Sequence, residues 1–241
     1  MTLKNHINIA FDQLIIDHNI KFLELWKEVD NIINFPEFFD LNKYDIYKRI
    51  VKNYFLSKYF IYSNKIEGDI LECGVFKGFS AYLMRLLQEK INNEYMNSQF
   101  FLIDSFEGLS KNQKQDKVTN PDFRQFEEGH FKTSLENVEK VFNKFNNVNV
   151  IKGWIPDIFN HLDKKNKYKF VHLDVDLYQP TLDSLNYIYD KVVIGGVILT
   201  DDYYSPHFPG NKIAWRKFFL SRNIKNVMIL PSGQSVYIKD S

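Results

Sequence analysis

Three aspartates at the ends of two apolar runs are the residues best suited to chemistry. "FVHLDVDLYQP" (170–180) leads into Asp174 and Asp176, and "GGVILTDDYY" (195–204) leads into Asp201 and Asp202. If the two runs are neighbouring parallel strands, Asp174, Asp201 and Asp202 converge at one rim of a sheet. Carboxylates that close repel and raise one another's pKa. Beside a dry core each is costly unless hydrogen-bonded, paired or bound to a cation. A hard divalent cation such as Mg2+ resolves the conflict and keeps open positions for water or substrate oxygens. Asp176 would order the loop or assist the site. The same pattern also suits helix N-caps or solvated strand ends.

A second constellation is "LECGVFKGFS" (71–80), where a run ends on Glu72 and Gly74 and Gly78 flank a tight turn that opens a helix. Glycine lets a backbone turn sharply and a ligand lie close, and ligands of doubly wound sheets settle beyond the carboxyl ends of strands. The spacing is E-x-G-x-x-x-G, not the G-x-G-x-x-G of a dinucleotide site, which makes a nicotinamide oxidoreductase the weakest reading. Glu72 suits a ligand carrying a cation, such as the amino group of a methionine moiety. Asp104, ending "FFLID", is placed to accept from ribose hydroxyls. His172 would point the same way as Asp174 and reads as a core histidine. His130 and His207 lack zinc-ligand spacing, and Cys73 lacks a paired base.

The elements that must position these residues follow from periodicity. Residues 8–63 read as two or three helices broken at Pro36. Strands are expected at 69–73, 99–104, 148–153, 169–175 and 196–201. Helices are expected at 79–91, 134–145 with Ser134 as N-cap, 181–192 and 211–221. A closing hairpin, "NVMILPSGQSVYIK", completes the pattern. Strands alternating with helices imply a mostly parallel sheet covered on both faces. The polar stretch 108–133 is long for a connection and reads as a lid or binding loop.

At 241 residues, 44% hydrophobic, the chain suits one α/β unit, divided here into an N-terminal helical cap (1–64) and a main domain (65–241). A net charge of +1 without basic blocks argues against a nucleic-acid partner. One cysteine excludes an internal disulfide framework. With no signal peptide and no apolar run long enough to span a bilayer, a cytoplasmic protein without a membrane span is expected.

"ILECGVFKGFSA", "LIDSFEGL", "GWIPDIF", "VHLDVDLYQPTLDSL" and "GGVILTDDY" followed by "PG" resemble the macrocin and mycinamicin sugar O-methyltransferases, from about residue 40 to 220 and in the same order. The resemblance implies a Rossmann-like, class I methyltransferase fold with seven strands, the last antiparallel, and a reaction dependent on S-adenosylmethionine and magnesium. It implies that Glu72, Gly74, Gly78 and Ser80 form the cofactor turn, that Asp104 holds the ribose with Ser105 and Phe106 beside it, and that Gly153 and Trp154 lie near the adenine. Asp174, Asp201 and Asp202 would be the metal ligands. Leu177 stands where related catechol enzymes carry a lysine, which leaves Asp174 as the expected proton acceptor. The acceptor would be a sugar hydroxyl of a small molecule or glycan, and the aromatic N-terminal region leaves a homo-oligomer open. A catechol or phenol methyltransferase and a catalytically silent cofactor-binding module are the alternatives.

Overall fold

The computed structural model describes residues 15–16, 20–33, 43–91 and 98–240. The expected break at Pro36 lies outside them. Seven strands form the main sheet: β1 (Asp69–Cys73), β2 (Phe100–Asp104), β3 (Val148–Lys152), β4 (Tyr168–Leu173), β5 (Val192–Thr200), β6 (Met228–Ile229) and β7 (Ser235–Ile238). Their order is β3-β2-β1-β4-β5-β7-β6. β1 to β5 run parallel, while β7 is antiparallel to β5 and to β6. The closing hairpin thus contributes two strands, of which β7 alone reverses direction.

Among the described residues six α-helices accompany the sheet: α1 (Phe22–Ile33), α2 (Lys43–Ser63), α3 (Phe79–Ile91), α4 (Leu135–Phe142), α5 (Tyr178–Ile188) and α6 (Pro209–Ser221). Side chains alternate across a strand, and the central strands are apolar on both faces. Ile70, Phe100, Phe170 and Leu199 pack with Phe22, Leu56, Phe60, Tyr82 and Phe142 from α1 to α4. Their neighbours Leu71, Ile103, Val171 and Ile198 pack with Leu185, Trp215 and Phe218 from α5 and α6. The N-terminal helices α1 and α2 therefore share the sheet's own core, with Phe60 meeting Phe170 edge to face at 5.5 Å.

Local sequence explains the start of α4. The Ser134 side chain accepts from the Asn137 amide at 3.3 Å, capping α4. α5 begins at Tyr178, three residues before the expected start, because its cap comes from elsewhere in the chain. Asp116, buried within the segment 108–133, accepts the Tyr178 amide at 2.7 Å and the Gln113 amide at 2.9 Å. A carboxylate there also suits the positive end of the helix dipole. Leu109 and Phe126 of the same segment pack on Leu177 and Phe208. The expected lid is thus docked across the start of α5 and α6. Asp116→Asn would turn an amide donor towards one of two backbone donors and cost about 1–3 kcal/mol. Faster cleavage within 108–133 under limited proteolysis, with the remainder of the chain intact, is the expected result.

Candidate functional site

The parallel strands end together at one rim, where a cavity of about 340 Å³ opens between the β1–α3 turn, the lid and α2. Asp104 stands on its wall, but much of its carboxylate serves the backbone. Oδ2 accepts the Val75 and Phe76 amides, both at 2.8 Å, and Oδ1 accepts the Phe106 amide at 2.7 Å. The end of β2 is therefore fastened to the glycine turn of β1. Oδ1 has a second lone pair, so Asp104 retains acceptor capacity.

The two glycines are needed for packing. Gly74 has φ +87°, and a Cβ there would overlap the Asp174 carbonyl oxygen. Gly78 has φ +86°, and its Cβ would lie 2.6 Å from the Phe142 ring. Gly74 lines the cavity and Gly78 does not. Ser105, Gly153 and the half-exposed Trp154 also line it. Phe106 does not: its ring is buried in the core beneath the turn.

Glu72 lies one layer behind the wall. It is fully buried, and its Oε1 accepts from Ser80 Oγ at 2.5 Å and faces His172 Nδ1 at 2.7 Å. Ser80 and His172, which line the cavity, are held by it. Glu72 and His172 are register partners on β1 and β4, so the pairing follows from sheet geometry. Glu72 Oε2 is buried with no hydrogen-bond partner among the described residues. Burial alone would push the His172 imidazole down, but the Asp201 and Glu72 carboxylates outweigh it and raise its pKa to about 10. His172 thus ties the turn to the acidic rim, with Nε2 3.6 Å from Asp201 Oδ1.

The acidic rim departs from the expected set in one member. Oxygens of Asp174, Asp176 and Asp202 lie within 4.8 Å of one another. Asp176 reaches this group from a left-handed conformation, φ +58°. Asp201 faces other partners: Lys52 Nζ donates to Oδ2 at 2.7 Å, and Gln234 Nε2 donates to Oδ1 at 2.6 Å. Adjacent residues leaving a strand point in opposite directions, so Asp201 and Asp202 are not equivalent. In this geometry Asp176 groups with Asp174 and Asp202, while Asp201 is engaged by Lys52 and Gln234.

Electrostatics mark the group as short of positive charge. Burial, and then the charges of Asp201 and Asp202, push the Asp174 carboxyl well above the usual range. Burial, with Asp202 and Asp174, does the same to Asp176. Asp201 is the reverse: burial would raise it, but Lys52 and His172 hold it far below the usual range. Lys52 itself is raised above an ordinary lysine, since Asp201, Asp202 and Asp174 outweigh the cost of burial. It is a fixed cation, not a base. Cys73 is buried and its thiol is pushed up, as an inert core cysteine requires.

Lys52 and Gln234 escape sequence reasoning because they approach from α2 and from the β6–β7 turn. One signal existed for Lys52: with Leu56 and Phe60 it forms an i, i+4, i+8 row, placing a lysine on the apolar face of a helix.

The strand order and the cavity at the carboxyl ends of β1, β2, β4 and β5 define a Rossmann-like class I methyltransferase fold. A family model described as macrocin-O-methyltransferase (TylF) matches residues 49–240, and the chain belongs to that family. It is 26% identical over 148 residues to the 8-demethyl-8-(2,3-dimethoxy-alpha-L-rhamnosyl)-tetracenomycin-C 4'-O-methyltransferase of Streptomyces olivaceus, covering 59% of this chain and 56% of that protein. It is 26% identical to the mycinamicin III 3''-O-methyltransferase of Micromonospora griseorubida, covering 58% and 57%. The chain thus spans just over half the length of these relatives. Among solved structures, the O-methyltransferase NovP superposes with a TM-score of 0.66 at 22% identity, over 80% of this chain and 81% of that one. Among the described residues no helix is long and apolar enough to cross a membrane.

Proposed function

We propose that this chain transfers a methyl group from S-adenosylmethionine to a sugar hydroxyl of a glycosylated small molecule or glycan, with the help of Mg2+. The observation that carries the reading is that one cavity holds both the β1–α3 turn with Asp104 and Trp154 and the carboxylates of Asp174, Asp176 and Asp202. The family match and the sugar-directed relatives support the choice of acceptor.

The residues fit both groups. Three carboxylates within 4.8 Å, two of them with raised pKa, form an oxygen donor set that suits a hard divalent cation. Bound there, Mg2+ supplies Lewis acidity that lowers the pKa of a coordinated hydroxyl. S-adenosylmethionine supplies the electrophilic methyl group. Asp104 Oδ1 would offer its remaining lone pair to the ribose, and the half-exposed Trp154 on the cavity wall would pack on the adenine. Glu72 holds Ser80 and His172 in the cavity wall, and Ser80 Oγ would offer a lone pair to the methionine end.

Asp174 accepts the hydroxyl proton at a carboxylate oxygen. Lys52, a fixed cation, does not compete for the role. The docked lid, with Leu109 and Phe131 on the cavity wall, excludes water and holds the acceptor.

A panel of rhamnosyl glycosides, sugar nucleotides and catechols, incubated with methyl-labelled S-adenosylmethionine, tests the reading. Label is expected on a sugar hydroxyl, lost in chelator and restored by Mg2+. Transfer to catechols alone, or sugar transfer indifferent to chelator, would sink it.

A further inference from the structure

Lys52 sits at the rim, yet neither the expected ligand set nor the proposed chemistry uses it. It comes from α2, its side chain is only 16% exposed, and it bridges two carboxylates, at 2.7 Å from Asp201 Oδ2 and 3.1 Å from Asp202 Oδ1. Asp202 belongs to the trio grouped for a cation, whereas Asp201 does not. An ammonium and a divalent ion on the same carboxylate are like charges in a poorly solvated site, where repulsion is costly.

Resting on the metal reading above, we propose that Lys52 is a built-in competitor of the divalent ion. Its ammonium occupies the Asp201–Asp202 edge, lowers the affinity of the site and decides whether Asp201 serves as a ligand. Gln234 leaves Asp201 a free lone pair on each oxygen but no negative charge to spare while Lys52 is paired. Without the lysine, Asp201 Oδ2 is released and the charge of Asp202 is left to the ion. Metal affinity is then set by α2, a helix that also walls the cavity through Arg49 and Asn53.

The opposite role, a lysine that scaffolds the carboxylates for the ion, predicts the opposite sign. Mn2+ binding to the full chain, freed of metal and followed by titration calorimetry, separates the two. Lys52→Met is expected to bind Mn2+ about tenfold more tightly or better, a change of about 1.4 kcal/mol, and Lys52→Arg to stay near the parent. Unchanged or weaker binding by Lys52→Met overturns the proposal.

If Lys52→Met unfolds easily without metal, the rise in Tm on adding Mn2+ separates the same two roles: it must exceed the parent's rise. Binding by the parent with an unchanged Lys52→Met sinks this inference alone. No Mn2+ binding by either protein sinks it together with the metal reading, whereas binding by Lys52→Met alone supports it.

Discussion

Asp174→Asn is expected to lower kcat/KM for methyl transfer by about 10³-fold or more, with S-adenosylmethionine affinity within a few-fold of the parent. Asp174 holds two duties at one carboxylate, as a member of the oxygen cluster and as proton acceptor. A positioned general base contributes roughly 10²–10⁴ in rate, and a metal-polarised oxygen several kcal/mol more. Asparagine keeps the side chain's size and one acceptor oxygen but neither its charge nor its basicity. Removing one of several crowded anions also relieves repulsion, so the variant should melt no lower than the parent. That combination, an inert enzyme of undiminished stability with intact cofactor binding, is hard to obtain from misfolding. Turnover within tenfold of the parent would show that Asp174 neither accepts the proton nor holds the ion.

The second large effect belongs to Asp104 and falls on the cofactor. Asp104→Asn is expected to weaken S-adenosylmethionine binding by about 10²-fold and to lower Tm, in contrast to Asp174→Asn. Three backbone amides converge on this carboxylate, from Val75, Phe76 and Phe106. An asparagine oxygen turned to Val75 and Phe76 leaves its NH2 facing the Phe106 amide, donor against donor, and either orientation costs about 1–3 kcal/mol. Phe76 and Phe106 hold positive φ, +50° and +56°, a conformation that needs such support. Calorimetric titration with S-adenosylhomocysteine and a melting curve read the two parts. Unchanged affinity would mean that Asp104 serves the fold only.

The sequence carried the fold because each level of it agrees. Glycines at the β1–α3 turn, apolar runs of strand length and amphipathic helices between them leave a parallel sheet as the consistent solution. The strand-end aspartates were legible for the same reason: parallel neighbours end together, so Asp174 and the Asp201–Asp202 pair had to meet. Periodicity also fixed that Asp104 ends the strand beside the glycine turn.

What only the tertiary structure decided is which atoms meet at that rim. Asp201 and Asp202 are neighbours in sequence and share Lys52, yet one turns to Gln234 and the other to Asp174 and Asp176. Sequence spacing says which strand end a side chain leaves from, not the direction it takes once the strand has ended. Glu72 was legible as the acid ending a strand at the glycine turn, but its place behind Ser80 and His172 depends on strand register, which is set by packing across the sheet. The cap on α5 and the lysine at the acidic rim are contacts between elements far apart along the chain. Local pattern does not name the partners in these contacts, because they form only when the hydrophobic faces have brought those elements together.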